Sequence, residues 1–194
     1  MYIMTPKDIG QSDEDVVKKS LVDKDVFGLL IFRYAEKLGR YIRRLGVSHS
    51  DDREDLLQTI FLKVYQNLNS FDKRLSFSTW IYRITHNETV SFFRKKSVRP
   101  ENFLIENSEE FIALLSEEGD TIREIELTYD VGLLKNALVT LDQKYREVLI
   151  LRYIEDREYV EISDILQIPS ASVGTLIHRA KKILKEKLTM ILKI

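Results

Sequence analysis

Apolar residues at helical spacing run through almost the whole of this 194-residue chain, with little to interrupt them. Val26, Leu30, Ile31, Tyr34, Leu38, Tyr41, Ile42 and Leu45 read as one apolar face. Leu56, Leu57, Ile60, Phe61, Val64, Tyr65 and Leu68 read as a second, and Phe77, Ile81 and Ile84 open a third helix that runs to about Lys96. The pattern returns with Leu138, Leu141, Val148, Leu149 and Leu151, then Ile162, Ile165 and Leu166, then Val173, Ile177, Ala180, Ile183, Leu184 and Leu188. There are seven glycines and three prolines, and Gly46, Pro100, Gly119 and Pro169 fall between these segments. No Asn-Gly or Asp-Gly pair and no long alternating run marks a hairpin. The fold class expected is all-α: two small helical domains joined by an acidic linker, the second a helix-turn-helix.

The charges decide where the linker falls. Thirty basic residues against 31 acidic ones leave a formal net charge of −1, which by itself argues against a nucleic-acid partner. The charges are segregated, however. Arg94, Lys95, Lys96 and Arg99 form a basic cluster. Residues 101–130 hold ten acids and one base, Arg123. The last helix is basic again, with Arg179, Lys181, Lys182, Lys185, Lys187 and Lys193 against Glu186. The domains expected are a 1–24 extension, a first domain at 25–99, a linker at 100–132 and a second domain at 133–194. The absence of cysteine excludes disulfides, thiolate metal sites and a cysteine nucleophile. No apolar run approaches the ~18 residues of a membrane span. Residues 1–19 are polar and acidic and do not read as a signal peptide, so a cytoplasmic location without membrane insertion is expected.

Two segments carry chemistry. At about 100° per residue, Trp80, Arg83, Asn87, Ser91 and Arg94 fall in one stripe roughly 80° wide. An aromatic ring, two guanidiniums, an amide and a hydroxyl can stack on bases and pair with phosphates. The preceding loop, 69–79, interleaves Phe71, Lys73, Arg74, Ser76 and Phe77, which suits the capture of an unstacked base. The competing reading puts Trp80 and Phe77 in the core and leaves the arginines as a solvated face.

In the second segment, residues 158–166 read as a short helix, Pro169 enforces a break, and Ser170 or Ser172 can cap the basic helix that follows. Helix, short turn, basic helix is the helix-turn-helix arrangement. Ser170, Ser172 and Thr175 would face base edges, with His178, Arg179, Lys181 and Lys182 near base edges or phosphates. The competing reading is an ordinary helical hairpin with a lysine-rich solvated face.

The acids at 51–55 complement a helix dipole, and Asp51 with Glu54 resembles a capping box. A metal site would need ligands converging from several elements, and His49, His86 and His178 are far apart in sequence. No metal, cofactor or catalytic residue is expected.

Residues 54–65 (EDLLQTIFLKVY), 77–84 (FSTWIYRI), Asn87 and Arg94-Lys95-Lys96 resemble region 2 of a bacterial sigma factor. Leu141-Asp142, 145–149 (YREVL), 151–155 (LRYIE), Glu161-Ile162, Ile168-Pro169 and 178–181 (HRAK) resemble region 4. The resemblance covers 25–99 and 133–188, and the chain is similar to the small extracytoplasmic-function (ECF) group, which keeps these two regions. It implies that the chain binds core RNA polymerase and promoter DNA. Asp51, Asp52, Asp55, Gln58 and Leu62 would face the β′ clamp helices. Phe71, Lys73, Arg74, Ser76, Phe77, Trp80, Arg83, His86, Asn87 and Arg94 would hold a −10 single strand. Ser170, Ser172, Thr175, His178, Arg179, Lys181 and Lys182 would read a −35 element, and the apolar surface of region 4 would meet the β flap. The linker would thread through the polymerase, and an anti-sigma factor is a further partner the family suggests. The chain departs from the family at Ser91, where an acid is common, and at Gly174 and Leu176, where bases are usual. Two other readings compete: a helix-turn-helix regulator binding duplex DNA directly, and a metal-dependent nuclease built on residues 51–55. The regulator has no use for a base-capture loop.

Overall fold

The computed structural model describes residues 10–72, 74–96, 137–138 and 140–192. They divide into two compact units, one of residues 10–43 and 47–96, the other of 44–46 and 137–192. The described residues contain helices and no strand. Lys73, Arg99 and the expected linker, 100–132, lie outside them.

In the first unit, α1 spans Asp13–Ser20. Ser12 caps it by accepting the Asp15 N–H at 3.1 Å, three acids fill its first turn and Lys18 and Lys19 its last. Both charge sets complement the helix dipole. A 3₁₀ turn at Lys24–Val26 leads into α2, Phe27–Arg44, which buries Phe27, Leu29, Leu30, Tyr34, Leu38, Tyr41 and Ile42. Gly46, at φ 111°, turns the chain after α2 in a conformation that glycine adopts without a Cβ clash. Next comes α3, Ser50–Gln66, inward through Leu56, Ile60, Phe61 and Val64. It begins one residue before Asp51, after His49, and no side chain caps it. The expected Asp51–Glu54 capping box is therefore absent, and the acids act through the dipole. Residues Leu68–Ser70 form a 3₁₀ turn, and α4 spans Phe77–Lys96.

Aromatic rings join these helices. Phe27 meets Tyr65 (centroids 5.1 Å apart), Tyr34 meets Phe77 (5.5 Å) and Tyr41 meets Tyr82 (5.0 Å). Edge-on and tilted pairs of this kind add to simple area burial. Two threonines inside α4 are almost wholly buried, and each hydroxyl donates back along the helix, Thr85 to the Ile81 carbonyl and Thr89 to that of Thr85, both at 2.8 Å. Their polar atoms are thus satisfied without water.

In the second unit, α5 spans Gln143–Leu149 and widens into a π turn at Ile150–Ile154, where the Glu155 N–H reaches the Ile150 carbonyl at 3.0 Å. Asp156 follows at φ 49°. Helix α6, Tyr159–Leu166, opens on a reciprocal capping box of Glu158 and Glu161. Gln167 ends it in the left-handed region (φ 54°, ψ 45°). The Ser163 hydroxyl donates to the Ile168 carbonyl at 2.7 Å and closes the turn. Helix α7, Ser170–Leu192, packs on α5 and α6 through Val173, Ile177, Ala180, Leu184 and Leu188. Ser170 and Ser172 are its first and third residues, inside the helix rather than capping it from outside.

Candidate nucleic-acid interface

The base-capture segment is organised by a buried aromatic cluster. Phe71 and Trp80 lie 5.3 Å apart between ring centroids, and Phe77 lies 5.8 Å from each. Phe71, Phe77 and Trp80 are 8%, 0% and 4% exposed, and His86 is 8% exposed. These four side chains, expected at a single-strand surface, are buried in the free protein. The Phe77 ring meets Tyr34 of α2, and Trp80 packs on Phe77 and on Phe71 of the loop, so the rings fill the core beneath the loop. Outside the cluster, Ser76 caps α4 by accepting the Thr79 N–H at 3.1 Å. Arg74 is exposed and pairs with Asp72 through two nitrogens, at 3.0 and 2.7 Å. This pairing holds the Asp72 carboxyl down at about 2 and raises Arg74. Along the stripe, Asn87 and Arg94 are exposed, and Arg83 and Ser91 are half-buried.

On α3, Asp51, Asp55, Gln58 and Leu62 are exposed and share one face, with Leu62 57% exposed. Asp52 lies 100° round the helix from Asp51. Its carboxylate accepts from the Lys96 ammonium of α4 at 2.6 and 2.7 Å, so it ties two helices together instead of joining that face. Beside the face runs an open groove of about 540 Å³, lined by Phe27, Ile31 and Ala35 of α2 and by Leu57, Phe61 and Leu62 of α3. Glu54 and Gln58 also line it. Ile31 is 38% exposed, so it belongs to this groove and not to the core face expected of it. The α2 wall escaped the reading of the sequence, although Phe27, Ile31 and Ala35 repeat at four-residue steps and mark a second stripe.

On α7, Ser170, Thr175, His178, Arg179 and Lys182 are exposed and Ser172 is half-buried. Lys181 departs from expectation: its ammonium donates to the Tyr153 hydroxyl at 3.2 Å and lies 5.4 Å from that ring's centroid. It stands 40° from buried Ile177 on the wheel, which directs it inward. Gly174 faces α6, where an added Cβ would meet the Tyr159 ring at 3.4 Å. Among the described residues no three histidine or carboxylate side chains gather as a metal site, and no helix is long and apolar enough to cross a membrane.

The fold is thus two helical units, the second carrying a helix-turn-helix with a basic outer face. A family model of Sigma-70 region 2 matches residues 30–99, and one of Sigma-70, region 4 matches residues 132–184. The ECF RNA polymerase sigma factor SigW of Bacillus subtilis is 34% identical over 97% of this chain and 98% of its own. Among solved structures, CnrH in complex with the cytosolic domain of CnrY is similar at TM-score 0.63 and 22% identity, covering 94% of this chain and 98% of that one. The sigma factor RpoE, solved in complex with the anti-sigma factor NepR from Bartonella quintana, is similar at TM-score 0.61 and 23% identity, over 84% and 96%. The chain belongs to the ECF RNA polymerase sigma factors and carries their regions 2 and 4. Its function is that of a sigma factor.

Proposed function

We propose that this sigma factor binds core RNA polymerase, recognises −10 and −35 promoter elements through separate helical domains and helps melt the DNA, with no catalytic activity of its own. Residues 25–99 act as region 2 and 133–194 as region 4, with 100–132 as the acidic connection and 1–24 as an extension. The groove between α2 and α3 takes the β′ clamp helices. Its apolar lining suits an apolar helix face, and Asp51, Glu54 and Asp55 are exposed carboxylates available to basic side chains at the rim.

Arg74, Ser76, Arg83, Asn87, Ser91 and Arg94 meet the −10 strand. Guanidiniums pair with its phosphates, while the amide and hydroxyls reach base edges. Phe71, Phe77, Trp80 and His86 support that surface from within. On α7, Ser170, Ser172 and Thr175 face −35 base edges, while His178, Arg179 and Lys182 meet bases or phosphates. The apolar surface of region 4 meets the β flap. The cytoplasm is the proposed site of action, and an anti-sigma factor is a second class of partner, as for the structurally similar RpoE.

The observation that carries this reading is the ordered pair of matches, region 2 at 30–99 and region 4 at 132–184, on a chain with exposed polar and basic side chains in both. Reconstitution with core RNA polymerase on genomic DNA, followed by sequencing of transcript starts, tests it. The expected result is a set of starts sharing two upstream elements at fixed spacing. Starts no different from those of core polymerase alone would overturn it.

A further inference from the structure

We infer that Glu14, in the helix before region 2, is a positioning residue for capture of the −10 base. This rests on the proposed contact with the −10 strand and on the reading of the loop at 69–79 as one that captures an unstacked base.

The Glu14 carboxylate accepts the backbone N–H of Phe77 at 3.0 Å, across 63 residues of sequence. Phe77 is the first residue of α4 and the point where the loop joins that helix. The first N–H groups of a helix have no partner within it. Ser76 satisfies that of Thr79, and Glu14 satisfies that of Phe77. Its negative charge also sits at the positive end of the α4 dipole.

Helix α1 is itself held fast. Val16, Val17 and Ser20 are buried. Asp13, next to Glu14, accepts from Arg33 of α2 at 2.6 Å and from the Tyr34 hydroxyl. The Tyr34 ring then packs edge-on against Phe77. Phe77 is therefore fixed twice, by its amide through Glu14 and by its ring through Tyr34, and it belongs to the cluster with Phe71 and Trp80 that shapes the loop. Asp13 and Glu14 are neighbours with separate tasks: Asp13 anchors α1 to α2, and Glu14 sets the height at which the loop enters α4. Removing the carboxylate leaves α1 anchored, through Asp13 and its buried valines, but unpins the junction. The loop then spends less time in the geometry that receives a base, and the effect falls on base capture rather than on docking to the polymerase.

The test uses the full chain assembled with core polymerase and a set of single-stranded −10 oligonucleotides, each abasic at one position. For the unaltered protein, one abasic position should weaken binding more than the rest, and this marks the captured base. E14A should weaken binding to the intact strand about tenfold, the weight of a charged hydrogen bond, and should weaken binding to that one abasic strand little or not at all. E14Q keeps an acceptor oxygen and should recover most of the loss. Affinity for core polymerase should be unchanged in both variants. A loss of the same factor on every oligonucleotide would overturn the role of Glu14, as would an E14A chain that does not fold, since Glu14 would then serve the fold as a whole. If no abasic position stands out for the unaltered protein, the capture-loop reading itself fails, whatever E14A does.

Discussion

Trp80 and Asn87 lie seven residues apart on α4 and point to opposite experimental signatures. Trp80 is packed against Phe71 and Phe77, and truncating a buried aromatic to alanine removes its burial and leaves a cavity. Trp80→Ala should cost about 3–5 kcal/mol, read as a lower urea midpoint, and should depress polymerase and DNA binding together. Asn87 is exposed, so Asn87→Ala should change stability by within about 0.5 kcal/mol. It should still weaken single-strand binding about three- to tenfold, the weight of one hydrogen bond. A stable Trp80→Ala protein with a selective loss of DNA melting would contradict this division. Asp72 gives a pH signature. Arg74 holds its carboxyl at about 2, below the unfolded value of about 3.9, so the pair's contribution is complete above the unfolded value and is lost as pH falls toward 2. Carbon-detected NMR titration should place the Asp72 midpoint near 2, and Arg74→Gln should return it toward the ordinary value.

At the scale of elements, helical periodicity revealed α2, α3, α4 and the helix-turn-helix, because each buries a stripe that repeats every three or four residues. The stripe of polar and aromatic residues on α4 was legible as a composition but not as a surface. Periodicity groups residues on a face; which face turns inward depends on the neighbouring helices. Trp80 stayed open between core and surface for that reason, and the inward turn of Lys181 was not legible because a long side chain can fold back on a ring such as that of Tyr153. The π turn at Ile150–Ile154 left no signal in the apolar spacing. The turn before α7 was legible in Pro169, whereas the left-handed Gln167 was not, because glycine or asparagine is the usual residue there. Gly174 gives the element-scale prediction. An added Cβ meets Tyr159 at 3.4 Å, an ordinary contact with a ring that is 39% exposed and able to shift. Gly174→Ala should therefore stabilise the second unit, by up to about 1 kcal/mol from helix propensity, measured as a raised thermal midpoint of region 4. A lowered midpoint would mean that the close approach of α6 and α7 needs glycine.

For the whole molecule, the net charge of −1 is a cancellation. Basic side chains on α4 and α7 offset the acids at 101–130, so the average conceals two basic surfaces, the ones proposed to meet DNA. Each surface belongs to its own folded unit, with separate cores, and substitutions on one should leave the other unaffected. On the proposed function, one polypeptide reads two promoter elements by two independent faces. The most direct test measures the binding of polymerase holoenzyme to two probes, a duplex carrying the −35 element and a single-stranded −10 oligonucleotide, for Arg179→Ala and for Asn87→Ala combined with Arg94→Ala. Arg179→Ala should weaken duplex binding and leave single-strand binding unchanged, and the α4 pair should do the reverse. Losses in the same proportion on both probes, for either protein, would contradict it.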